Sequence, residues 1–322
     1  MKRILTGIKP SGDLHLGNYF GVIKPLLELQ DTKGAELFVF IANYHAQTSV
    51  KDKEKLEKNT LNILKTYLAS GLDPEKTTIY LQSDVPEVHE LSWIFATLTT
   101  MPELMRAHAF KDAEAKNKDI NVGIFTYPLL MAADIALFKA DLVPVGKDQI
   151  QHIEMAREMV RDFNKTYGEF LKEPKELVQK EIETIPGTDG QKMSKSYKNV
   201  IPLIATDEEW QKVVFSIVTG SAQLGEPLDP KSCNIFALHK LLSKDDLSEL
   251  ERRYKEGSIG YKESKEILLE NLKKEFAPLR DKFNSISDKE ALSMIKNGRG
   301  KAKQIARENI DKIRNRLGVI SN

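Results

Sequence analysis

The strongest constraint on the fold is an alternation of short apolar runs with amphipathic stretches at the start of the chain. Residues 37–42 are a continuous apolar run of strand length, and residues 3–8 and 77–81 are also predicted to be short strands. Residues 17–29 and 52–70 between them carry apolar side chains at helical spacing. A continuously apolar strand suits a parallel sheet that is covered on both faces. The alternation of strand and helix therefore predicts a doubly wound α/β sheet.

After residue 91 the pattern becomes mostly helical, apart from an apolar run at residues 142–145. We predict a helix over residues 148–163, a polar loop around residues 192–198, and only helices from residue 208 onward. This organisation predicts a parallel-sheet domain over residues 1–203 and an all-α domain over residues 204–322. The last helix either belongs to the all-α domain or packs back on the parallel-sheet domain.

The charge and the cysteine content exclude several classes of protein. The 322 residues include 48 Lys and Arg against 47 Asp and Glu, and no apolar run approaches the length of a membrane span. The single cysteine, Cys233, excludes an intramolecular disulfide and any cysteine-rich zinc or iron–sulfur site. With an N-terminus that lacks an apolar signal core, these features predict a cytoplasmic protein with neither metal centre.

The C-terminal end of the chain is strongly basic, although the chain as a whole is nearly neutral. Between residues 291 and 322, eight Lys and Arg side chains stand against two acidic ones, Glu308 and Asp311. Such a helix is commonly a solvated surface, and the alternative is a surface that contacts phosphates.

Two loops carry residues suited to nucleotide chemistry. Residues 10–18 (PSGDLHLGN) lie between the first strand and its helix, and residues 192–196 form the string KMSKS. The glycines of the first loop have the spacing of a Walker loop, but Asn18 and Tyr19 replace the Lys and Ser/Thr that such a loop needs. A glycine turn before a helix N-terminus still suits phosphate. Lysines on a second loop can close over a leaving pyrophosphate.

A third segment places an aspartate within an apolar helix. Asp134 follows residues 126–133 (TYPLLMAA), where a buried carboxylate needs a hydrogen-bond donor. The aspartate either faces solvent, makes a structural hydrogen bond, or lies at the floor of an apolar pocket and accepts from an aromatic substrate. A buried acceptor of that last kind would reject a substrate without the donor.

Together these segments resemble the class I aminoacyl-tRNA synthetases, and residues 126–152 resemble the bacterial tryptophanyl-tRNA synthetases. The resemblance extends over nearly the whole chain, including residues 6–12, 42–46, 71–74 and 106–111. It implies a Rossmann-type catalytic domain, a helical anticodon-recognition domain, and a homodimer. It further implies activation of L-tryptophan by ATP with Mg²⁺ that is held mainly by phosphates, followed by transfer to the terminal ribose of tRNA(Trp).

The same resemblance assigns the site residues. Those implied in catalysis are His15, Asn18, Lys111, Lys192 and Lys195. Those implied in ATP binding are Lys9, Pro10, Ser11, Gly17, Asn18, Gly146, Lys147, Asp148, Ile185, Lys192, Met193, Ser194, Lys195 and Ser196. Those implied in tryptophan binding are Asp134 at the indole N–H, Met131 on the ring, Tyr127 and Gln149 at the ammonium and carboxylate ends, and His45 in the pocket wall.

Three positions depart from the common bacterial pattern. Lys9 stands where glutamine is frequent, Asn43 where aspartate is usual, and Lys147 where glutamate is common. These changes concern contacts with ribose and tryptophan and leave the expected reaction unchanged.

The sequence argues against three alternatives to the tryptophanyl enzyme. The segment around Asp134 argues against a tyrosyl-tRNA synthetase, and the basic helical C-terminus argues against a small-molecule nucleotidyltransferase with a similar histidine loop. The presence of His15, Lys192, Lys195 and Asp134 argues against a non-catalytic RNA-binding paralogue.

Overall fold

The computed structural model describes residues 1–107, 110, 121–178, 185–223 and 225–319. Their central element is a five-stranded parallel sheet with strand order β3-β2-β1-β4-β5. The strands are β1 (Lys2–Ile8), β2 (Ala35–Ile41), β3 (Thr77–Leu81), β4 (Leu142–Val145) and β5 (Lys175–Val178). This architecture confirms the predicted Rossmann-type α/β class. Strand β5 was not predicted, because its sequence KELV is a partly exposed edge without an apolar run.

Three helical segments follow β1, where the sequence predicts one helix over residues 17–29. They are α1 (Leu16–Asn18), a π-helical stretch (Tyr19–Ile23) and α2 (Lys24–Leu29). Pro25 lies just after the π-helical stretch, and its missing N–H interrupts the hydrogen-bond pattern of this helical run. Between β2 and β3 lie α3 (Asn43–Ala46) and α4 (Lys53–Ser70), and Gly71 ends α4 with a φ of +101°.

The remaining helices lie on both sides of β4 and after β5. Between β3 and β5 they are α5 (Glu87–Leu98), α6 (Met101–Met105), α7 (Val122–Leu137) and α8 (Ile150–Tyr167). After β5 they are α9 (Asp207–Phe215), α10 (Asn234–Leu242), α11 (Leu247–Glu256), α12 (Tyr261–Ser285), α13 (Asp288–Met294) and α14 (Lys296–Leu317). Short 3₁₀ turns occupy Gln82–Asp84, Lys147–Gln149 and Lys195–Tyr197. Over the described ranges, no helix has the length and apolar character to cross a membrane.

Alternate side chains of the strands supply two apolar layers. Ile4, Val39 and Ile79 belong to one layer, and Leu5, Phe38 and Tyr80 belong to the other. The first layer is continuous with apolar side chains of α9, α10 and α12, so one core extends on both sides of residue 203. The division of the chain at that residue therefore stays a prediction.

The last helix, α14, packs on the edge strand β3 and on α5. The approach is closest at Gly298, where a Cβ atom would lie 2.5 Å from the carbonyl oxygen of Ile79. Arg299 donates to the buried carboxylate of Asp84 with 2.6 Å between its Nη2 and Oδ1. Two further ion pairs, Lys301 with Glu36 and Arg314 with Glu90, also join α14 to the sheet and α5. Three of the eight basic residues of the C-terminal segment thus form ion pairs that attach α14 to the sheet domain.

We expect Gly298→Ala to lower the free energy of unfolding by about 2 kcal/mol, because α14 would have to move away from β3. Gly300 is the matched control, since a Cβ atom there would meet nothing within 4 Å. Gly300→Ala should be neutral or stabilise by up to about 1 kcal/mol through helix propensity. Urea denaturation of both variants measures the difference, and equal effects would contradict the close contact.

Candidate nucleotide and amino-acid site

A cavity of about 440 Å³ opens beside the carboxyl ends of β1 and β2. Part of its wall is one face of α7, because Ile124, Tyr127, Met131, Asp134 and Ile135 recur there at helical spacing. In an open parallel sheet, ligands bind at the carboxyl ends of the strands, where the connecting loops diverge. The cavity therefore lies where this fold would bind a small ligand.

The five residues predicted to hold the amino acid all line this one cavity. They are Asp134, Tyr127, Met131, Gln149 and His45, and Lys9 lines it with them. Most of the other lining side chains are apolar, among them Leu5, Phe40 and Val143. A largely apolar cavity with a few placed polar groups is typical of a specific small-molecule site.

Asp134 is the buried acceptor of the cavity, with 2% of its surface exposed. Two donors meet at its Oδ2 atom: Nε2 of Gln82 at 2.8 Å and Nε2 of His45 at 3.0 Å. No described residue donates to Oδ1, so this oxygen can accept from a ligand. No sequence motif includes Gln82, and its role at the cavity is visible only from its burial and its hydrogen bonds in the structure.

Two further polar groups of the cavity are held by neighbours. The hydroxyl of Tyr127 is hydrogen-bonded to Nε2 of the buried His152, and burial raises the pKa of Tyr127 to about 12, so the phenol stays protonated. Nζ of Lys9 donates to Oγ1 of Thr48 at 2.8 Å, and burial lowers the pKa of Lys9. The described wall of the cavity thus holds one carboxylate and one amine.

The loop after β1 places His15 in tight surroundings. The residue is 8% exposed, and its Nδ1 has no hydrogen-bond partner among the described residues. A Cβ atom on residue 17 would lie 2.9 Å from the imidazole ring, so Gly17 is needed for this ring position. Oδ1 of Asn18 accepts the backbone N–H of His15 at 3.1 Å. Gly17 and Asn18 therefore fix the position of the His15 imidazole, which explains the spacing of the three residues in the loop.

The lysine loop, residues 192–196, is joined to this histidine loop. His15 forms an antiparallel β-bridge with Pro202, and the N–H of Leu16 donates to the carbonyl of Ile201 at 3.0 Å. Nζ of Lys195 lies 3.5 Å from the place that a Cβ atom on Gly12 would take. Two motifs that are far apart in the sequence therefore form one site.

Asn199 fixes the shape of the lysine loop. Its Nδ2 donates to Oδ1 of Asp189 at 2.7 Å and to the carbonyl of Lys192 at 3.1 Å. Its Oδ1 accepts the N–H of Ser194 at 2.8 Å. The residue is buried and lies outside the motif, so its only signal in the sequence is its position directly before an apolar stretch.

The other predicted nucleotide residues lie around these two loops. Pro10 and Ser11 belong to the histidine loop and Met193 and Ser196 to the lysine loop, and the carbonyl of Ile185 accepts the N–H of Met193 at 2.9 Å. Gly146 and Lys147 lie after β4, at the turn that leads into α8. Lys111 lies outside the described residues, and so does the side chain of Asp148.

The electrostatics of the two loops set the protonation state of His15. Burial, and secondly the positive charge of Lys195, lower the pKa of His15 to about 4. The imidazole is therefore neutral at pH 7 and carries one N–H, which can donate to a phosphate oxygen.

Fold and site together define a nucleotide-binding enzyme with an amino-acid-sized cavity beside its phosphate loops. The family model of tRNA synthetases class I (W and Y) matches residues 1–277. The chain belongs to this family.

Relatives of known function match the chain over nearly its full length. The tryptophan–tRNA ligase of Campylobacter jejuni is 45% identical over 320 residues, which cover 98% of this chain and 100% of the relative. That of Fusobacterium nucleatum is 44% identical over 326 residues, which cover 100% and 99%. The resemblance inferred from the sequence is thereby confirmed.

Solved structures agree with this assignment. The tryptophanyl-tRNA synthetase of Campylobacter jejuni complexed with ADP and tryptophan has a TM-score of 0.93 at 44% identity, covering 98% of this chain and 99% of that one. The enzyme of Mycoplasma pneumoniae has a TM-score of 0.81 at 31% identity, covering 100% and 99%.

Because Lys195 is the second cause of the low pKa of His15, Lys195→Ala should raise that pKa from about 4 toward the ordinary value without reaching it. NMR titration of the His15 imidazole protons measures this shift. Lys192→Ala is the matched control, since burial and Lys195, and not Lys192, lower the pKa of His15. This variant should leave the pKa of His15 at about 4. A pKa of His15 that is the same in both variants would contradict the proximity of Lys195.

Proposed function

We propose that the chain is a tryptophan–tRNA ligase of the cytoplasm. It activates L-tryptophan with ATP to tryptophanyl-adenylate and pyrophosphate, and then esterifies the 3′-terminal ribose of tRNA(Trp). One observation carries the choice of amino acid: Asp134 stands in an apolar cavity with Oδ1 available to a donor. The near full-length similarity to tryptophan–tRNA ligases supports the same reaction.

The lining of the cavity supports recognition of an indole. The indole N–H donates to Asp134, Met131 packs on the ring, and His45 closes the wall. Tyr127 and Gln149 hold the ammonium and carboxylate ends. Phenylalanine offers no donor and would cover Oδ1 of Asp134 without a hydrogen bond, which penalises its binding.

Activation then needs positioning and positive charge rather than covalent catalysis by the protein. The tryptophan carboxylate oxygen attacks the α-phosphorus of ATP, and the bond from that phosphorus to the pyrophosphate oxygen breaks. His15 and Asn18 donate to the phosphates, and Lys192 and Lys195 compensate the charge that builds on the pyrophosphate. Lys111 has the same role in this proposal, and the remaining nucleotide residues, among them Lys9 and residues 146–148, surround the nucleotide.

Magnesium enters this proposal as part of the nucleotide. Among the described residues, no group of three or more His, Cys, Asp or Glu side chains could hold a metal ion. Apart from Asp13, whose Oδ1 accepts from Nδ2 of Asn62 at 3.2 Å, the side chains of the two loops are neutral or cationic. They fit a triphosphate whose Mg²⁺ is held by phosphate oxygens and water. Bound in this way, the ion would neutralise part of the phosphate charge.

The helical region after residue 203 is proposed to read the anticodon. Arg299, Lys301 and Arg314 of α14 are engaged in ion pairs with the rest of the chain. The proposed phosphate-contacting surface is thereby reduced to the exposed basic side chains of α14 that make no ion pair with the described part of the chain. They are Lys296, Lys303, Arg307, Lys312 and Arg316.

We expect exchange of labelled pyrophosphate into ATP with tryptophan, and not with tyrosine or phenylalanine. Asp134→Asn should lower kcat/KM for tryptophan by about 100-fold, because an amide cannot accept from Gln82, His45 and the indole together. Asp281→Asn, at a carboxylate that is 71% exposed, is the control and should change nothing. Exchange with tyrosine would identify the sister enzyme, and no exchange with any of the three would favour a non-catalytic RNA-binding protein.

We further propose that the chain forms a homodimer through α5 and α6. Trp93 on α5 is 71% exposed, and Met101 and Met105 on α6 are 59% and 47% exposed. Large apolar side chains that face solvent on consecutive helices are typical of a protein contact surface.

Trp93→Glu should therefore shift the protein from dimer to monomer in sedimentation equilibrium, because a buried unpaired carboxylate would oppose association. Val218→Glu is the control, since Val218 is 56% exposed and lies after α9, outside the proposed contact. A Trp93→Glu variant that stays dimeric would place the contact elsewhere.

A further inference from the structure

Gln82 stands at the tryptophan cavity without belonging to any motif. It begins the 3₁₀ turn after β3, and its side chain is fully buried. Its Oε1 accepts the backbone N–H of Tyr44 at 3.0 Å and that of His45 at 3.2 Å. Its Nε2 donates to Oδ2 of Asp134 at 2.8 Å. The amide therefore bridges the start of α3 and the acceptor of the cavity.

These partners determine which way the amide points. Backbone N–H groups only donate, so the atom that faces them must be the amide oxygen. The amide nitrogen must then face the carboxylate. Gln82 thus supplies Asp134 with a neutral N–H, which reduces the cost of burying the carboxylate and leaves its negative charge in place.

Gln82 also holds the second donor to Asp134. Its oxygen anchors the backbone of His45, and Nε2 of His45 lies 3.0 Å from the same Oδ2 atom. A single side chain therefore supports both hydrogen bonds to Oδ2. Because both bonds go to one oxygen, the other oxygen of the carboxylate is left for the cavity.

The turn that carries Gln82 is fastened at its next two residues. Ser83 and Asn43 exchange two hydrogen bonds, from the N–H of Ser83 at 3.1 Å and from Nδ2 of Asn43 at 2.8 Å. Asp84 is paired with Arg299 of α14. The backbone of the turn is thus tied to α3 and to α14, so the Gln82 amide has a defined place from which to orient Asp134.

We propose that Gln82 is a positioning residue that makes the site selective for an aromatic N–H. This inference rests on the proposed function, because it concerns how Asp134 recognises tryptophan. Gln82 does not touch the substrate in this scheme. Gln82 holds the Asp134 carboxylate so that Oδ1 faces the indole N–H. Without Gln82 the carboxylate can rotate, and either oxygen can then accept from His45 or from the indole.

The test compares tryptophan with β-(3-benzothienyl)alanine, in which sulfur replaces the indole N–H at nearly the same size. We expect Gln82→Met to lower kcat/KM for tryptophan in pyrophosphate exchange by about tenfold or more, and to change that of the analogue by less than about threefold. The preference for tryptophan should therefore fall by several-fold, and the KM for ATP should not change. Gln82→Asn is a milder second variant, since its amide is too short to reach both α3 and Asp134.

Asn164 offers a matched control because its amide also accepts two backbone N–H groups and donates one hydrogen bond, and it lies outside the cavity lining. Its Oδ1 accepts the N–H groups of Phe170 and Leu171, and its Nδ2 donates to the carbonyl of Leu171. It is buried and does not line the cavity. Asn164→Leu should lower stability and leave the preference for tryptophan over the analogue unchanged.

An unchanged preference in both Gln82 variants would overturn the inference, as would an equal loss with both substrates in folded protein. Circular dichroism establishes folding for each variant. Wild-type protein is measured first, so that absence of tryptophan-dependent exchange there counts against the proposed function itself. Wild-type exchange with tryptophan followed by unchanged selectivity in the variants counts against the role of Gln82 alone.

Discussion

The burial of one carboxylate in an apolar cavity is the constraint on which the amino-acid site depends. Asp134 lies among apolar side chains of α7 and the sheet, where an unpaired charge would be costly. The turn after β3 and the start of α3 together offset the free energy of burying this charge, because Gln82 and His45 both donate to Oδ2. The charged carboxylate can therefore be buried only because α3 and the 3₁₀ turn pack against the strand ends in this arrangement.

The nucleotide half of the site depends on a different contact, made by backbone. The β-bridge between His15 and Pro202 joins the histidine loop to the chain that leaves the lysine loop. Asn199 gives that second loop its shape through the carbonyl of Lys192 and the N–H of Ser194. The lysines are thereby brought beside the histidine loop although they lie far along the chain. The parallel sheet provides the common edge at which both halves meet.

The sequence predicted the parallel sheet, four of its five strands and most helices, because their apolar spacing is a local property. The resemblance to the family also predicted five of the residues that line the cavity, which are Asp134, Tyr127, Met131, Gln149 and His45. The sequence could not reveal Gln82, whose partner Asp134 is 52 positions away. Nor could it show that Arg299 pairs with Asp84 across 215 positions, which turns part of a basic surface into a structural contact. Strand β5 was missed because its pairing with β4, rather than its own composition, makes it a strand.

The two halves share one property, which is an unmet hydrogen-bonding group in the protein without substrate. Oδ1 of Asp134 accepts from no described residue, and Nδ1 of His15 is buried without a hydrogen-bond partner among them. The buried Nδ1 of His15 costs folding free energy, on the order of 1–3 kcal/mol for a buried polar atom. Oδ1 of Asp134 instead faces the cavity. A ligand that offers an oxygen to the imidazole and a donor to the carboxylate pairs both groups on binding. Because the groups are already in place, less ordering is needed when the ligand binds, which favours affinity and selectivity.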